Sequence, residues 1–448
     1  MIYDPLLDFD DPELFEPWFR GPSWDAWRVI IKAAFGQRLT APELEVFHQL
    51  AGDREPPRRR VEELWVIAGR RSGKDSVASF LAISAEYEAV LRPGERATVL
   101  LLAHTRDQAR ILRKYVEGYF HRVPMLGAMV ERESQDGIEL NNQTEITVAP
   151  NSYRSVRGRT CLCCIMDEVA FWRDEESRNP DIEVYNAISP ALGTLPGAML
   201  IGISTPYRRS GLLYGKWSEH YGKSDEDVLV IKAPSRLLNP NLSQTRIDRD
   251  LARDREASGA EWLAEFRSDL ADYVDRRTVE ELVIRERREL MPALGVQYEA
   301  FVDPSGGSSD SFTLAISHRS HDSLGILDAL REISPPFAPS SVVQEFAELL
   351  KTCRITKVRG DRYAGEWPRE QFLKHGITYE SSERSKSEIY VQALPLLNSG
   401  RVELLDNNRL ISQISNLERR TSRGTGRDLV DHPPGQKDDL ANAALGGL

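Results

Sequence analysis

The chain has 448 residues and a formal net charge of −11. That length exceeds what one hydrophobic core supports, so two domains and a connecting piece are expected. The acidic balance excludes a generally basic DNA-coating protein, although local basic patches remain compatible with nucleic-acid binding.

No apolar run approaches the roughly 18 residues of a membrane span, and the acidic start Met-Ile-Tyr-Asp-Pro lacks the layout of a signal peptide. Four cysteines in a chain this long point to a reducing compartment. Cys161, Cys163 and Cys164 lack a second ligand pair at metal spacing and are expected as buried strand residues.

In chain order, residues 1–20 are acidic and aromatic and predict an irregular arm. Ser23 is a candidate N-cap for a helix carrying Trp24, Trp27, Ile30 and Ile31, and Thr40 with Pro42 and Glu43 starts a second helix. Phe35–Arg38 is a candidate neighbour of a nucleotide base, with packing against the core as the plainer alternative. Arg58, Arg59 and Arg60 read as a solvated turn or a DNA-facing patch.

Residues 64–76 organise the rest. Leu64–Ala68 predicts a buried strand, and Gly69, Arg70, Arg71, Ser72 and Gly73 a glycine-bracketed turn. Lys74, Asp75 and Ser76 then open a helix. Strand, glycine loop, lysine and helix form a phosphate cradle, because backbone N–H groups and the lysine converge on the β- and γ-phosphates. Two positions depart from G-x-x-x-x-G-K-[ST]. Ala68 replaces the first glycine, and Asp75 replaces the hydroxyl residue that holds Mg²⁺, with Ser76 one residue late.

Ala97–Ala103 predicts a second buried strand with His104 at its end. Residues 160–168 predict a third, ending in Asp167 and Glu168. At that tip Asp167 suits Mg²⁺, directly or through water, and Glu168 suits polarising a water for attack on the γ-phosphate. Arginines of the 154–159 loop are candidates for a transition-state finger, with Arg70 and Arg71 as rivals. Residues 198–206 predict a further strand ending in Ser204 and Thr205, placed to sense the γ-phosphate, and Val228–Ala233 another.

The composition becomes highly charged and helical over 236–292, expected as a linker subdomain. Beyond it, Tyr298–Val302, Phe312–Ser317 and Leu324–Leu327 predict a meander, and Lys357–Gly360 a short strand. Asp303 and Asp361 stand at strand ends, and Asp438 and Asp439 at a helix start. Converging there, these carboxylates would hold two divalent metals about 3.5–4 Å apart, which clamp the attacking and leaving oxygens of a phosphodiester. Carboxylate ligands favour Mg²⁺ or Mn²⁺. Arg419–Arg427 is a candidate contact to the DNA backbone.

Ala-Gly-Arg-Arg-Ser-Gly-Lys, Ile-Met-Asp-Glu, Ile-Ser-Thr-Pro, Phe-Val-Asp-Pro, Gly-Asp-Arg and Lys-Asp-Asp-Leu-Ala-Asn-Ala occur in that order. The set resembles the large terminase subunit of tailed bacteriophages over most of the chain. The resemblance implies an α/β architecture of three parts. An N-terminal P-loop ATPase (1–235) has a mostly parallel sheet, a helical linker covers 236–292, and an RNase H-like nuclease covers 293–448. It implies ATP with Mg²⁺ in the first domain and two divalent metals in the last. It also implies ATP-driven movement of double-stranded viral DNA into a procapsid and endonucleolytic cutting of concatemers. By position, Arg157 resembles the finger acting between subunits, and Ser204 and Thr205 the coupling motif. The implied partners are the portal protein, a small terminase subunit and further copies in a ring, in the host cytoplasm. Two alternatives stay open: a P-loop helicase or repair translocase with a nuclease domain, and a DNA-binding assembly protein whose P-loop does not hydrolyse.

Overall fold

Leu64 to Ala68 are all buried in strand β1 (Glu63–Ala68), and their alternation explains why every residue is apolar. Leu64, Val66 and Ala68 enter one hydrophobic cluster, whereas Trp65 and Ile67 enter another. A strand covered on both faces needs a continuous apolar run. The same holds for β2 (Ala97–Ala103), β6 (Thr160–Asp167) and β7 (Met199–Ser204). Cys163 and Cys164 of β6 accordingly fall in opposite clusters. Burial pushes the Cys161 thiol up to about 11 and that of Cys164 well above its ordinary value. All three cysteines are buried and free of disulfides.

The sheet is completed by β3 (Val130–Glu133), β4 (Gly137–Leu140), β5 (Thr144–Pro150) and β8 (Val228–Ala233), in the order β3-β4-β5-β2-β6-β7-β1-β8. From β5 to β8 every pairing is parallel, and β3 and β4 form an antiparallel edge. Thus β7 lies between the strand leading into the glycine loop 69–73 and the strand ending in Asp167. Gly202 allows this close fit, since a Cβ there would lie 2.2 Å from the Trp65 ring.

The computed structural model describes residues 4–84, 91, 94–135, 137–151, 156, 158–172, 180–361, 366–421, 428–433 and 435–448. The chain divides into two units, 1–174 with 179–268 and 175–178 with 269–448. The expected linker, 236–292, falls on both sides of this division. Helices Ser235–Leu238, Gln244–Arg253 and Arg255–Leu263 belong to the first unit, and the ends of the first and third are bonded to the loop 69–73. The Arg70 N–H donates to the Glu261 carbonyl at 2.6 Å, and Asn239 Nδ2 donates to the Arg71 carbonyl at 2.9 Å. Tyr273 and Val279 instead enter a core of the second unit.

The N-terminal arm is ordered rather than irregular. Helices Pro5–Phe9 and Glu16–Phe19 bury Phe9, Phe15 and Phe19 around Phe80, with ring centroids 4.9–5.7 Å apart. Those aromatics outweigh the local prolines and acids. Pro22–Trp24 is a 3-10 turn, so the helix starts at Asp25 rather than after Ser23. Thr40 and Glu43 form the expected capping box. Arg59 pairs with Asp227 and Arg60 lies 4.8 Å over the Phe35 ring, so two of the three arginines serve the fold.

In the second unit β9 (Leu270–Asp272) precedes a six-stranded sheet. Its strands are β10 (Tyr298–Asp303), β11 (Phe312–Arg319), β12 (Gly325–Ile333), β13 (Lys357–Gly360), β14 (Thr378–Ser381) and β15 (Val402–Glu403). The order is β14-β13-β10-β11-β12-β15. The antiparallel meander β10-β11-β12 is flanked by β13 and β14, both parallel to β10. The expected meander is present, with its third strand running on to Ile333 instead of ending at Leu327. A hairpin of β16 (Glu418–Thr421) and β17 (Asp428–Asp431) pairs with β9 and was not evident from sequence.

Candidate functional site

Each unit presents one constellation at the carboxyl ends of its strands, where open α/β sheets place ligands. In the first unit β1 runs directly into the loop 69–73. Ala68 still pairs with Ala233, so its methyl is accommodated within the sheet. The position that demands glycine is the next one, because a Cβ on Gly69 would lie 2.2 Å from Ser235 Oγ and 2.8 Å from the Glu261 carbonyl. Gly73 has φ +87°, and its approach to the Trp24 ring also excludes a side chain. Trp27 Nε1 donates to the Ser72 carbonyl at 2.8 Å. Trp24 and Trp27 therefore buttress the loop. Of the candidate base neighbours Phe35–Arg38, Gln37 bonds Asp4, and Phe35 is occupied by Arg60.

Lys74 opens the helix Lys74–Ser84 and is buried. Its Nζ lies 2.9 Å from Glu168 Oε1. Glu168 has φ +50°, a left-handed conformation that turns its carboxylate off the end of β6. Its Oε2 accepts from Ser204 Oγ and from the Thr205 N–H, both at 3.2 Å. One carboxylate thus links Lys74 to the tip of β7. Burial opposes charge on Lys74, but Glu168, Asp75 and Asp167 together raise its pKa above the ordinary value. Burial, then the charges of Glu168 and Asp75, push Asp167 well up, and burial likewise raises Asp75. Among the described residues, Ser72 Oγ, Asp167 Oδ1 and Thr205 Oγ1 are buried without a hydrogen-bond partner. Such groups are costly unless a ligand satisfies them.

Of the candidate arginines, Arg70 is paired with Glu261 at 2.8 Å and Arg159 with Glu145 at 2.8 Å. Arg71 adopts φ +62°. Arg154 and Arg157 lie outside the described residues.

In the second unit the parallel register sets Phe301 beside Arg359 and Val302 beside Gly360. The next residues, Asp303 and Asp361, therefore emerge side by side from neighbouring strands. Gly360 is required there, since a Cβ would lie 2.4 Å from the Tyr379 hydroxyl. The last helix, Asp439–Gly447, is drawn close by Gly446, whose Cβ would lie 2.7 Å from the Phe301 ring. Asp439 Oδ2 accepts from the Ser311 N–H at 3.2 Å, and Thr313 Oγ1 donates to the Asp439 carbonyl at 2.8 Å. Asp303, Asp361, Asp438 and Asp439 line one cavity of about 580 Å³ together with Lys386, Asp431 and His432. Burial, reinforced by Asp439, Asp361 and Asp438 and partly offset by a hydrogen bond from Asn442, pushes Asp303 up to about 7. Burial, with Asp438 and Asp310, pushes Asp439 up to about 6. A site that strains against its own negative charge in this way suits divalent cations.

Lys386, Tyr390 and Asn442 were not singled out from sequence. Lys386 and Tyr390 sit four residues apart, on one face of the helix Lys386–Asn398, and both reach Asp438. Asn442 stands one turn after Asp438 on the last helix. Arg419 and Arg420 point to acidic partners, Asp428 at 3.9 Å and Asp269 at 2.9 Å, and residues 422–427 lie outside the described residues.

The raised pKa of Asp303 has a consequence for stability. The folded state holds this proton more tightly than the unfolded chain, so the associated stability is present below about pH 4 and is lost as pH rises through about 7. Asp303→Asn is expected to stabilise the metal-free chain at pH 8, by on the order of 2–4 kcal/mol, and hardly at pH 4. Calorimetry in chelator at several pH values measures this. A constant difference between variant and wild type across that range would refute it.

No family model matches the chain, and no curated protein matches it. Among solved structures it is similar to the large terminase of bacteriophage HK97, at 17% identity and TM-score 0.40, covering 94% of this chain and 99% of that one. It is also similar to the large terminase of a thermophilic bacteriophage in complex with ADP, at 13% identity and TM-score 0.41, covering 93% of this chain and 96% of that one. A third likeness is to the large terminase nuclease of thermophilic phage G20c with bound magnesium, at 14% identity and TM-score 0.33. It covers 38% of this chain and 93% of that one. None of the helices among the described residues is long and apolar enough to cross a membrane.

Proposed function

We propose that this chain is a large terminase subunit, an ATP-driven motor for double-stranded viral DNA joined to a metal-dependent endonuclease. The observation that carries the proposal is that one chain holds both constellations. One is a P-loop lysine paired to a strand-end glutamate, and the other is four aspartates on one cavity of a sheet with RNase H-like strand order. The ordered motifs of the sequence support the same reading.

In the motor, the loop 69–73, Lys74 and the start of its helix cradle the phosphates. The donor set fits ATP with Mg²⁺, because Asp167 Oδ1, Ser72 Oγ and Thr205 Oγ1 are buried and find no partner among the described residues. Asp167 and Asp75 would hold the cation, with Ser76 as a hydroxyl alternative. The cation supplies neutralisation of the β- and γ-phosphate charge. Glu168 orients the attacking water and accepts its proton. When phosphate draws Lys74 away, Glu168 remains bonded to Ser204 and Thr205, which therefore sense the γ-phosphate and couple hydrolysis to movement. Arg157 is assigned the finger acting between neighbouring copies.

In the nuclease, Asp303, Asp361 and Asp439 would hold the cations from three elements, and Asp438 lines the same cavity, its carboxylate within 4.8 Å of ligand atoms of Asp431 and His432. Carboxylate donors fit Mg²⁺ or Mn²⁺, and two such ions supply an activated water and charge at the leaving oxygen. The proposed partners are double-stranded DNA, the portal of a procapsid, a small terminase subunit and further copies in a ring, in the host cytoplasm.

The test is a single preparation assayed twice. The full chain is expected to hydrolyse ATP faster with DNA present, and to linearise plasmid in Mg²⁺ or Mn²⁺ but not in chelator. ATP turnover without any metal-dependent cutting would favour a translocase. Cutting without turnover would favour a P-loop that no longer hydrolyses.

A further inference from the structure

Lys386 is the first residue of its helix, held there by a capping box of Ser385 and Glu388. A cation at a helix N-terminus opposes the macrodipole and is disfavoured locally. Where a sequence breaks a local rule, a tertiary partner is expected to explain it. Here the partners are Asp438 and Asp431. Lys386 Nζ lies 3.0 Å from Asp438 Oδ2, 3.2 Å from Asp438 Oδ1 and 3.0 Å from Asp431 Oδ1. One turn later the buried Tyr390 hydroxyl donates to Asp438 Oδ2 at 2.8 Å.

Asp438 is in turn released from the task its position assigns. It is the N-cap of the last helix, yet its side chain caps nothing. Gln413 Oε1 takes the Leu440 and Ala441 N–H groups instead, at 2.8 and 3.1 Å. The Asp438 carboxylate is thus free to turn toward Lys386 and Tyr390, while its neighbour Asp439 is held by the Ser311 N–H. Two adjacent aspartates are given different partners and different surroundings.

We propose that Lys386 is a positioning residue of the nuclease centre, orienting Asp438 and lowering the centre's affinity for divalent cations. The proposal rests on the nuclease reading above. A fixed ammonium in contact with Asp438 repels cations held by the neighbouring carboxylates. It also locks the Asp438 carboxylate, which lines the same cavity as Asp303, Asp361 and Asp439, as outer partners of metal ligands do. The two effects have opposite signs on binding and turnover, whereas a merely structural lysine would weaken both together.

The experiment uses the full chain. Mn²⁺ binding is measured calorimetrically without DNA, with Asp303→Ala subtracting ions bound elsewhere, and plasmid cleavage is followed against Mn²⁺ concentration. Lys386→Gln is expected to bind Mn²⁺ at least about fivefold more tightly. It is also expected to cut at least about tenfold more slowly at saturating metal. Lys386→Arg, which keeps the charge, is expected to return both toward wild type. Tyr390→Phe removes a hydroxyl and no charge, so it should slow cutting and leave Mn²⁺ affinity unchanged. It tests the orienting role independently of Lys386→Gln. Unchanged or weaker Mn²⁺ binding in Lys386→Gln, or unchanged cutting in both variants, overturns the inference while leaving the nuclease intact. If the wild type neither cuts nor binds Mn²⁺ in a manner dependent on Asp303, the nuclease reading itself falls and takes the inference with it.

Discussion

Glu168→Gln is expected to reduce ATP turnover by about 1000-fold or more while the chain still binds nucleotide. Glutamine keeps the size of the side chain and can still meet Ser204 and Thr205, but it cannot accept the proton of an attacking water. General-base catalysis is typically worth 10²–10⁴-fold. The variant also loses the ion pair to Lys74, 2.9 Å long in the wild type, so the lysine is released for phosphate and nucleotide affinity should hold or rise. Lys74→Ala should instead lose binding and turnover together. Fluorescent-nucleotide binding alongside phosphate release separates the two. Near-normal turnover in Glu168→Gln would remove Glu168 from the chemistry.

Asp303→Ala and Asp361→Ala are each expected to lower plasmid cutting by more than about 100-fold, beyond what loss of an outer partner costs. ATP hydrolysis should be unaffected. The two residues leave neighbouring parallel strands side by side and share one cavity with Asp439. Neither loss is compensated by its neighbour, since each arrives from a different element. Asp361→Ala should also lower the raised pKa of Asp303, because Asp361 is among the charges that hold it near 7. Unchanged cutting in either variant, with the fold intact by circular dichroism, would move the metal site elsewhere.

Apolar runs, glycine turns and strand-end acids are local, and they were legible in the amino-acid sequence. Core strands β1, β2, β6, β7 and β8, the P-loop, and the strand-end or helix-start placement of Asp167, Glu168, Asp303, Asp361, Asp438 and Asp439 all came from such patterns. A strand buried on both faces has no choice but to be apolar, whereas a carboxylate at an element's end also serves as a turn or cap residue, and only the set of them pointed to binding.

The tertiary structure decided what depends on partners distant in sequence. It packed the acidic arm through Phe9, Phe15 and Phe19 on Phe80, and divided the charged linker between two cores. It placed the need for glycine at Gly69 instead of Ala68, because Ser235 and Glu261 approach the loop there. It also separated Asp438 from Asp439. Both sit in the same dipeptide, so no local pattern distinguishes them. Only the arrival of Lys386 and Tyr390 on one, and of the Ser311 N–H on the other, gives the two carboxylates different surroundings.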